Sequence, residues 1–288
     1  MGTAAEGSAP AGQVVDAHEE SGTVPVLLYH DVADGPVQDR FRRYVVPRGL
    51  FDEHLGALAS AGYVTAPASS LDLSETGRRP TVYLTFDDGY RSFASAVMPA
   101  LARYAMTGTV FVPTAHVDGP AAWLANLGED HREVMGWGEI SEVVAAGAEV
   151  GAHGHDHLPF DLLSPERLRV ELHHGRSILE DNLAVPVTTL AYPYGFHRRA
   201  VRTVARSCGY RVAFEVGDNL QRITPGSSPP GDAILRVRRI VVGPDTSGDD
   251  LLRLLRQGRR SPAVQRARCM ARPGWRLVRR LSSRGASC

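Results

Sequence analysis

Three clusters in this chain combine residue types and spacing that can do chemistry. The first is Thr85-Phe86-Asp87-Asp88-Gly89. Two adjacent carboxylates repel each other unless a cation lies between or beside them, and a bound metal would supply that charge. Asp-Asp-Gly is also ordinary turn chemistry, so a solvated loop is the alternative. The second cluster is Gly151-Ala152-His153-Gly154-His155-Asp156-His157. The four-residue interval between His153 and His157 can place both imidazoles on one side of a helical turn. An Asp with two His suits a divalent ion that keeps open water positions, as in catalytic zinc sites. A surface histidine run is the plainer account. The third cluster is Ala191-Tyr192-Pro193-Tyr194-Gly195. Such a turn can aim a backbone N–H into a pocket, which an oxyanion hole requires. It also reads as a simple turn with two buried rings.

All three clusters follow short apolar runs. Residues 24–30, 80–86, 107–112, 148–152, 187–192, 210–214 and 234–242 read as strands buried on both faces. Between them lie helical patterns at 47–62, 93–104, 138–146, 164–182, 198–207 and 247–255. Ser164-Pro165-Glu166 gives the fourth helix an N-cap, a first-turn proline and an early acid. Residues 31–48 read as polar and irregular, and 217–233 as a Gly/Pro/Ser-rich loop. Strands alternating with helices predict an α/β fold of parallel units, in a barrel or open sheet. In a barrel, the strand ends are where active sites are built.

The chain has 288 residues, 43% hydrophobic and 22% charged, which excludes collagen-like and wholly disordered classes. Three cysteines, Cys208, Cys269 and Cys288, are too few for a disulfide framework. No window reaches the roughly 18 apolar residues of a membrane span. The zero net charge hides an asymmetry. All 32 basic residues are arginine, and residues 251–288 carry 11 of them with no acid. The N-terminus lacks a basic and apolar leader pattern, so a cytoplasmic location is expected. Residues 1–22 are expected to be flexible, 23–256 to form one domain, and 257–288 to be an Arg-rich tail. Its stretches 263–272 and 275–281 can lie on an anionic membrane surface, pack on the acidic barrel, or stay free. Nucleic acid is a less favoured partner, since no recognition module accompanies the charge.

The three clusters, in this order and spacing, resemble the polysaccharide deacetylase family (the NodB-homology domain, carbohydrate esterase family four), over about residues 24–255. Gly154 stands where the family usually has Ser or Thr, which implies a looser loop. Ala191 replaces the usual arginine, and the late Leu-x-His motif is missing. Leu28-Tyr29-His30 fits the branch resembling poly-N-acetylglucosamine deacetylases, which carries Leu-x-His near the N-terminus. Arg239 resembles that branch's late-strand arginine. The resemblance implies a distorted (β/α) barrel of about seven strands. It implies one divalent ion, zinc being expected, on Asp88, His153 and His157. It further implies Asp87 as general base, His30 as general acid, the Tyr194 N–H as oxyanion donor and Arg239 as the group orienting Asp87. Tyr192, Pro193, His197 and Trp137 are the expected substrate contacts; Trp123 and Trp137 can stack on a sugar, although core packing is the commoner use of each. The implied reaction removes an N-acetyl group from an amino sugar or glycoconjugate. Hydrolysis of another amide or cyclic imide, or a catalytically silent carbohydrate-binding role, are the alternatives.

Overall fold

The structure is a computed structural model that describes residues 23–73, 80–222 and 231–259. Seven parallel strands form the barrel: β1 (Val26–Tyr29), β2 (Thr81–Phe86), β3 (Thr109–Val112), β4 (Glu149–Ala152), β5 (Thr189–Ala191), β6 (Val212–Gly217) and β7 (Val237–Val241). Each pairs with its sequence neighbour, and β7 pairs with β1 to close the ring. Helices α1 (Arg48–Ser60), α2 (Met98–Arg103), α3 (Trp137–Ala145), α4 (Pro165–Leu183), α5 (Arg199–Ser207) and α6 (Gly248–Gln257) connect or flank them. A π-helical turn, Phe93–Val97, leads into α2.

The strands are apolar because both faces are covered. All four residues of β1 are buried. Leu27 and Tyr29 pack outward with Phe51, Leu55 and Leu58 of α1 in the main core. Alternate positions, including Val26, Phe111, Ala191, Phe214 and Val237, form a second cluster that fills the barrel. The helix starts follow local chemistry. Ser164 Oγ accepts the Arg167 N–H at 3.3 Å, and Ser247 Oγ accepts that of Asp250 at 3.2 Å.

Two segments depart from the sequence reading. Residues 31–48 are ordered, with Asp31–Val32 pairing Val45–Val46 and Phe41 buried. Ionic contacts join this segment to residues 118–135. Arg132 bonds the buried carboxylates of Asp31 and Glu129, and Glu129 Oε1 accepts the Gln38 N–H at 2.5 Å. Strand pairs of two residues leave no periodicity to read, which is why the segment looked irregular. Val64–Thr65 also adds an outer strand beside β2. Among the described residues, no helix is long and apolar enough to cross a membrane. The expectations for 1–22 and for the stretches at 263–272 and 275–281 lie outside the described residues.

Candidate active site

The carboxyl ends of the strands meet at a cavity of about 330 Å³. His30 follows β1, Asp87 and Asp88 follow β2, His153 and His157 follow β4, and Tyr194 follows β5; all six line it. Three of them adopt left-handed backbone conformations: Asp88 (φ 73°), His157 (φ 55°) and Tyr194 (φ 62°). Non-glycine residues pay roughly 1–3 kcal/mol for such conformations, and they persist where the surroundings hold them. Here they turn side chains or backbone back over the strand ends.

Asp88 is the centre of a buried triad. Its Oδ1 lies 3.4 Å from His153 Nε2 and 3.1 Å from His157 Nε2, while Oδ2 accepts the Tyr90 hydroxyl at 2.8 Å. Burial opposes ionisation of Asp88, but bonding to the two histidines outweighs it and holds the carboxyl well below its usual range. Among the described residues, this is the one set of three such side chains whose ligand atoms all lie within 4.8 Å. Its chemistry fits a cation. His153 Nδ1 lies 2.9 Å from the Ala191 carbonyl, which only accepts, so the ring proton of the neutral imidazole sits on Nδ1. Its Nε2 faces the Asp88 carboxylate oxygen, where it can share a cation with that oxygen or, when protonated, donate to it. The separations of 3.1 and 3.4 Å are those of atoms sharing one ion at bond lengths of about 2.0–2.2 Å.

Asp87 is held separately. Arg239 NH1 and NH2 donate to its two oxygens at 2.6 and 2.7 Å, and the Asp87 N–H donates to the Tyr29 carbonyl at 3.0 Å. Arg239 is 0% exposed and packs against both the Phe111 and Phe214 rings. Burial pushes the Asp87 carboxyl up, but the charge and bonds of Arg239 together with the His153 and His30 charges outweigh this and lower it. His30 packs on the Tyr44 ring at 4.7 Å, and its buried Nδ1 has no hydrogen-bond partner among the described residues. Burial lowers its pKa against the pull of Asp88 and Asp87.

The structure does not bring every expected residue to the cavity. Tyr192, Pro193, His197 and Trp137 are not in its lining. The Tyr192 hydroxyl is spent on the Leu235 carbonyl at 2.8 Å, and Pro193 is buried. His197 pairs with Glu215 at 2.7 Å and packs on Tyr192, because the turn after Gly195 carries it away from the strand ends. Trp137 opens α3 and packs against the main core. Trp123 does reach the cavity, stacked on His157 with centroids 4.5 Å apart. Nor do His153 and His157 share a helical turn. A loop bent at Gly154 (φ 80°) and His157 brings them together. The loop is not loosened by the glycine either. A Cβ at position 154 would stand 2.9 Å from the Phe160 ring, and the neighbouring amides bond Glu171.

Sequence reasoning missed Glu171 and the cavity walls. Those walls include Phe41, Leu124, Leu127, Phe196 and Val216, with Arg43 and Asp218 as further polar members. Apart from Val216 on β6, the walls come from segments outside the barrel strands and α-helices, so no local signal marked them.

Among known proteins, YxkH of Bacillus subtilis is 23% identical over 234 residues, covering 80% of this chain and 75% of YxkH. The poly-beta-1,6-N-acetyl-D-glucosamine N-deacetylase of Escherichia coli is 22% identical over 239 residues. That alignment covers 71% of this chain and 35% of that enzyme. In three dimensions, IcaB from Ammonifex degensii matches with a TM-score of 0.67 at 24% identity, covering 82% of this chain and 97% of the other. That likeness is one of fold. Residues 74–213, which include Asp87, Asp88, His153, His157 and Tyr194, match the family described as polysaccharide deacetylase.

Proposed function

We propose that this protein hydrolyses the N-acetyl group of an amino sugar or glycoconjugate, using one divalent ion held by Asp88, His153 and His157. The observation that carries this reading is the pairing of two unlike carboxylates in one cavity. Asp88 faces two imidazole nitrogens, and its neighbour Asp87 is locked by Arg239. The mixed N/O donor set suits zinc. Such an ion supplies Lewis acidity, polarising an acyl oxygen and lowering the pKa of water.

The protein's own groups divide the remaining work. Asp87, ionised and fixed in orientation, takes a proton from the attacking water. The water oxygen bonds the acyl carbon, and the C–N bond breaks to give acetate and a free amine. The Tyr194 backbone N–H, on its left-handed turn, donates to the oxygen that gains charge. His30, protonated, delivers a proton to the departing nitrogen, which leaves poorly as an anion. Arg239 keeps Asp87 ionised and aimed. The apolar walls at Leu124, Leu127, Phe196 and Val216 favour a second reading of the substrate. An acylated amine carrying an apolar group, such as a lipid-linked or glycosylated small molecule, would cover them better than a fully hydroxylated chain.

The test joins metal analysis to acetate release from N-acetylglucosamine oligomers, nucleotide sugars and alkyl glycosides. Asp88→Ala or His153→Ala should weaken metal binding by orders of magnitude and abolish release. A purified protein that holds no metal and hydrolyses equally well in chelator would refute the assignment.

A further inference from the structure

The loop that carries His153 and His157 is tied to helix α4 by one buried acid. Between its two left-handed residues, Gly154 and His157, the amides of His155 and Asp156 converge. Both donate to the same oxygen, Oε2 of Glu171, at 3.0 and 2.9 Å. Glu171 is 0% exposed, and its Oε1 lies 3.2 Å from Arg167 NH2, one helical turn earlier. Arg167 also bonds the Asp156 carboxylate, so loop and helix are joined through side chain as well as backbone.

The contact leaves no room for slack. A Cβ at Gly175 of α4 would stand 2.7 Å from the Gly154 carbonyl oxygen, so helix and loop backbones touch directly. A Cβ at Gly154 would meet the Phe160 ring, and would also stand 3.3 Å from Glu171 Oε2. Any side chain at 154 must therefore displace part of this packing. Two adjacent N–H donors aimed at one carboxylate oxygen make charge-assisted bonds, roughly twice as strong as neutral ones. Burial pushes the Glu171 carboxyl up to about 7, while the Asp156 and His155 amides and the Arg167 charge pull against this and favour its ionised form.

We propose that Glu171 is a positioning residue for the metal centre: it fixes the 154–157 bend so that His157 Nε2 stands against Asp88. This rests on the reading of Asp88, His153 and His157 as metal ligands. The chain thereby anchors from the packed helix α4 a loop whose own position 154 offers no side chain.

Cobalt(II) titration of chelator-treated full-length protein tests this, with His153→Ala as control. Glu171→Gln keeps shape and an acceptor but loses the charge. We expect its cobalt Kd to rise about 10–100-fold, the size usual for groups that orient metal ligands. At saturating cobalt, kcat should fall while KM stays near wild type, and the metal-free protein should melt within a few degrees of wild type. Arg167→Ala, at an exposed position, should weaken cobalt binding several-fold in the same direction, and it serves alone if Glu171→Gln does not fold. A cobalt Kd within twofold of wild type in the tested variant, with kcat unchanged, overturns the proposal. Wild-type affinity in His153→Ala overturns the metal-site reading itself, and the Glu171 role with it.

Discussion

Replacing Arg239 with methionine should separate the buried ion pair from the rest of the fold. The substitution keeps length and apolar bulk against Phe111 and Phe214, but strips Asp87 of its two bonds at 2.6 and 2.7 Å. Asp87 is 4% exposed, so water does not replace them. Removing one partner of a buried pair costs about 3–5 kcal/mol. At about 2–4 °C per kcal/mol for a domain of this size, melting should fall by about 6–20 °C. Chemical denaturation of chelator-treated protein measures it without a contribution from bound metal. Arg239 lowers the folded-state pKa of Asp87. The pair therefore stabilises fully above the ordinary carboxylate pKa of about 3.9, and its contribution is lost as pH falls through the lower folded value. The gap between wild type and Arg239→Met should be full at neutral pH and narrow below about pH 4. Adding Asp87→Asn should recover part of the loss, with a coupling of about 2 kcal/mol or more. A single variant within about 0.5 kcal/mol of wild type, or strictly additive effects, would refute the reasoning.

Asp87→Asn should retain metal while losing about 10²–10⁴-fold in turnover, as general-base removal does; full activity with metal bound would exclude Asp87 as the base. His30→Ala should lower kcat without releasing metal. Because burial holds the His30 pKa below 6.5 and the acid acts protonated, kcat/KM should decline as pH rises through that value, and the variant should lose this limb. An unchanged limb would point to another proton donor. Gly195→Ala must place a Cβ 2.6 Å from that of Val216 at a φ of 76°. It should lower thermal stability, and lower turnover at unchanged metal content by shifting the adjacent Tyr194; unaltered melting would show that the turn accommodates the methyl.

The barrel was legible because its strands are short apolar runs bounded by turn residues, and each of the seven ran within a few residues of its prediction. The helices were legible from spacing and, for α4, from the Ser164 cap. The triad and Asp87 were legible because three tight clusters fall at strand ends. What failed depended on tertiary contacts. His197 is two residues beyond the Tyr192-Pro193-Tyr194-Gly195 turn, yet Glu215 and Tyr192 draw it out of the cavity. Trp137 and Trp123 are alike in sequence, but only Trp123 lies on a segment pulled over His157. The bond from the Gln38 N–H to Glu129 and that from His155 to Glu171 join distant positions with no repeating pattern.

The ring closes by pairing β1 with β7, which brings the first and last barrel strands together beside β2. The first and last barrel strands therefore both supply residues proposed for the site. His30 arrives with β1 and Arg239 with β7, whereas the three candidate ligands come from the ends of β2 and β4 alone. On the proposed reading, ion loading would draw on β2 and β4, and competence on β1 and β7 as well. A molecule whose β1–β7 seam is frayed would keep the ligand triad and still take up an ion, yet lack the aimed base and the proton donor. Metal content would then overcount the active fraction of a preparation, and the shortfall in turnover per ion would report how many seams are shut.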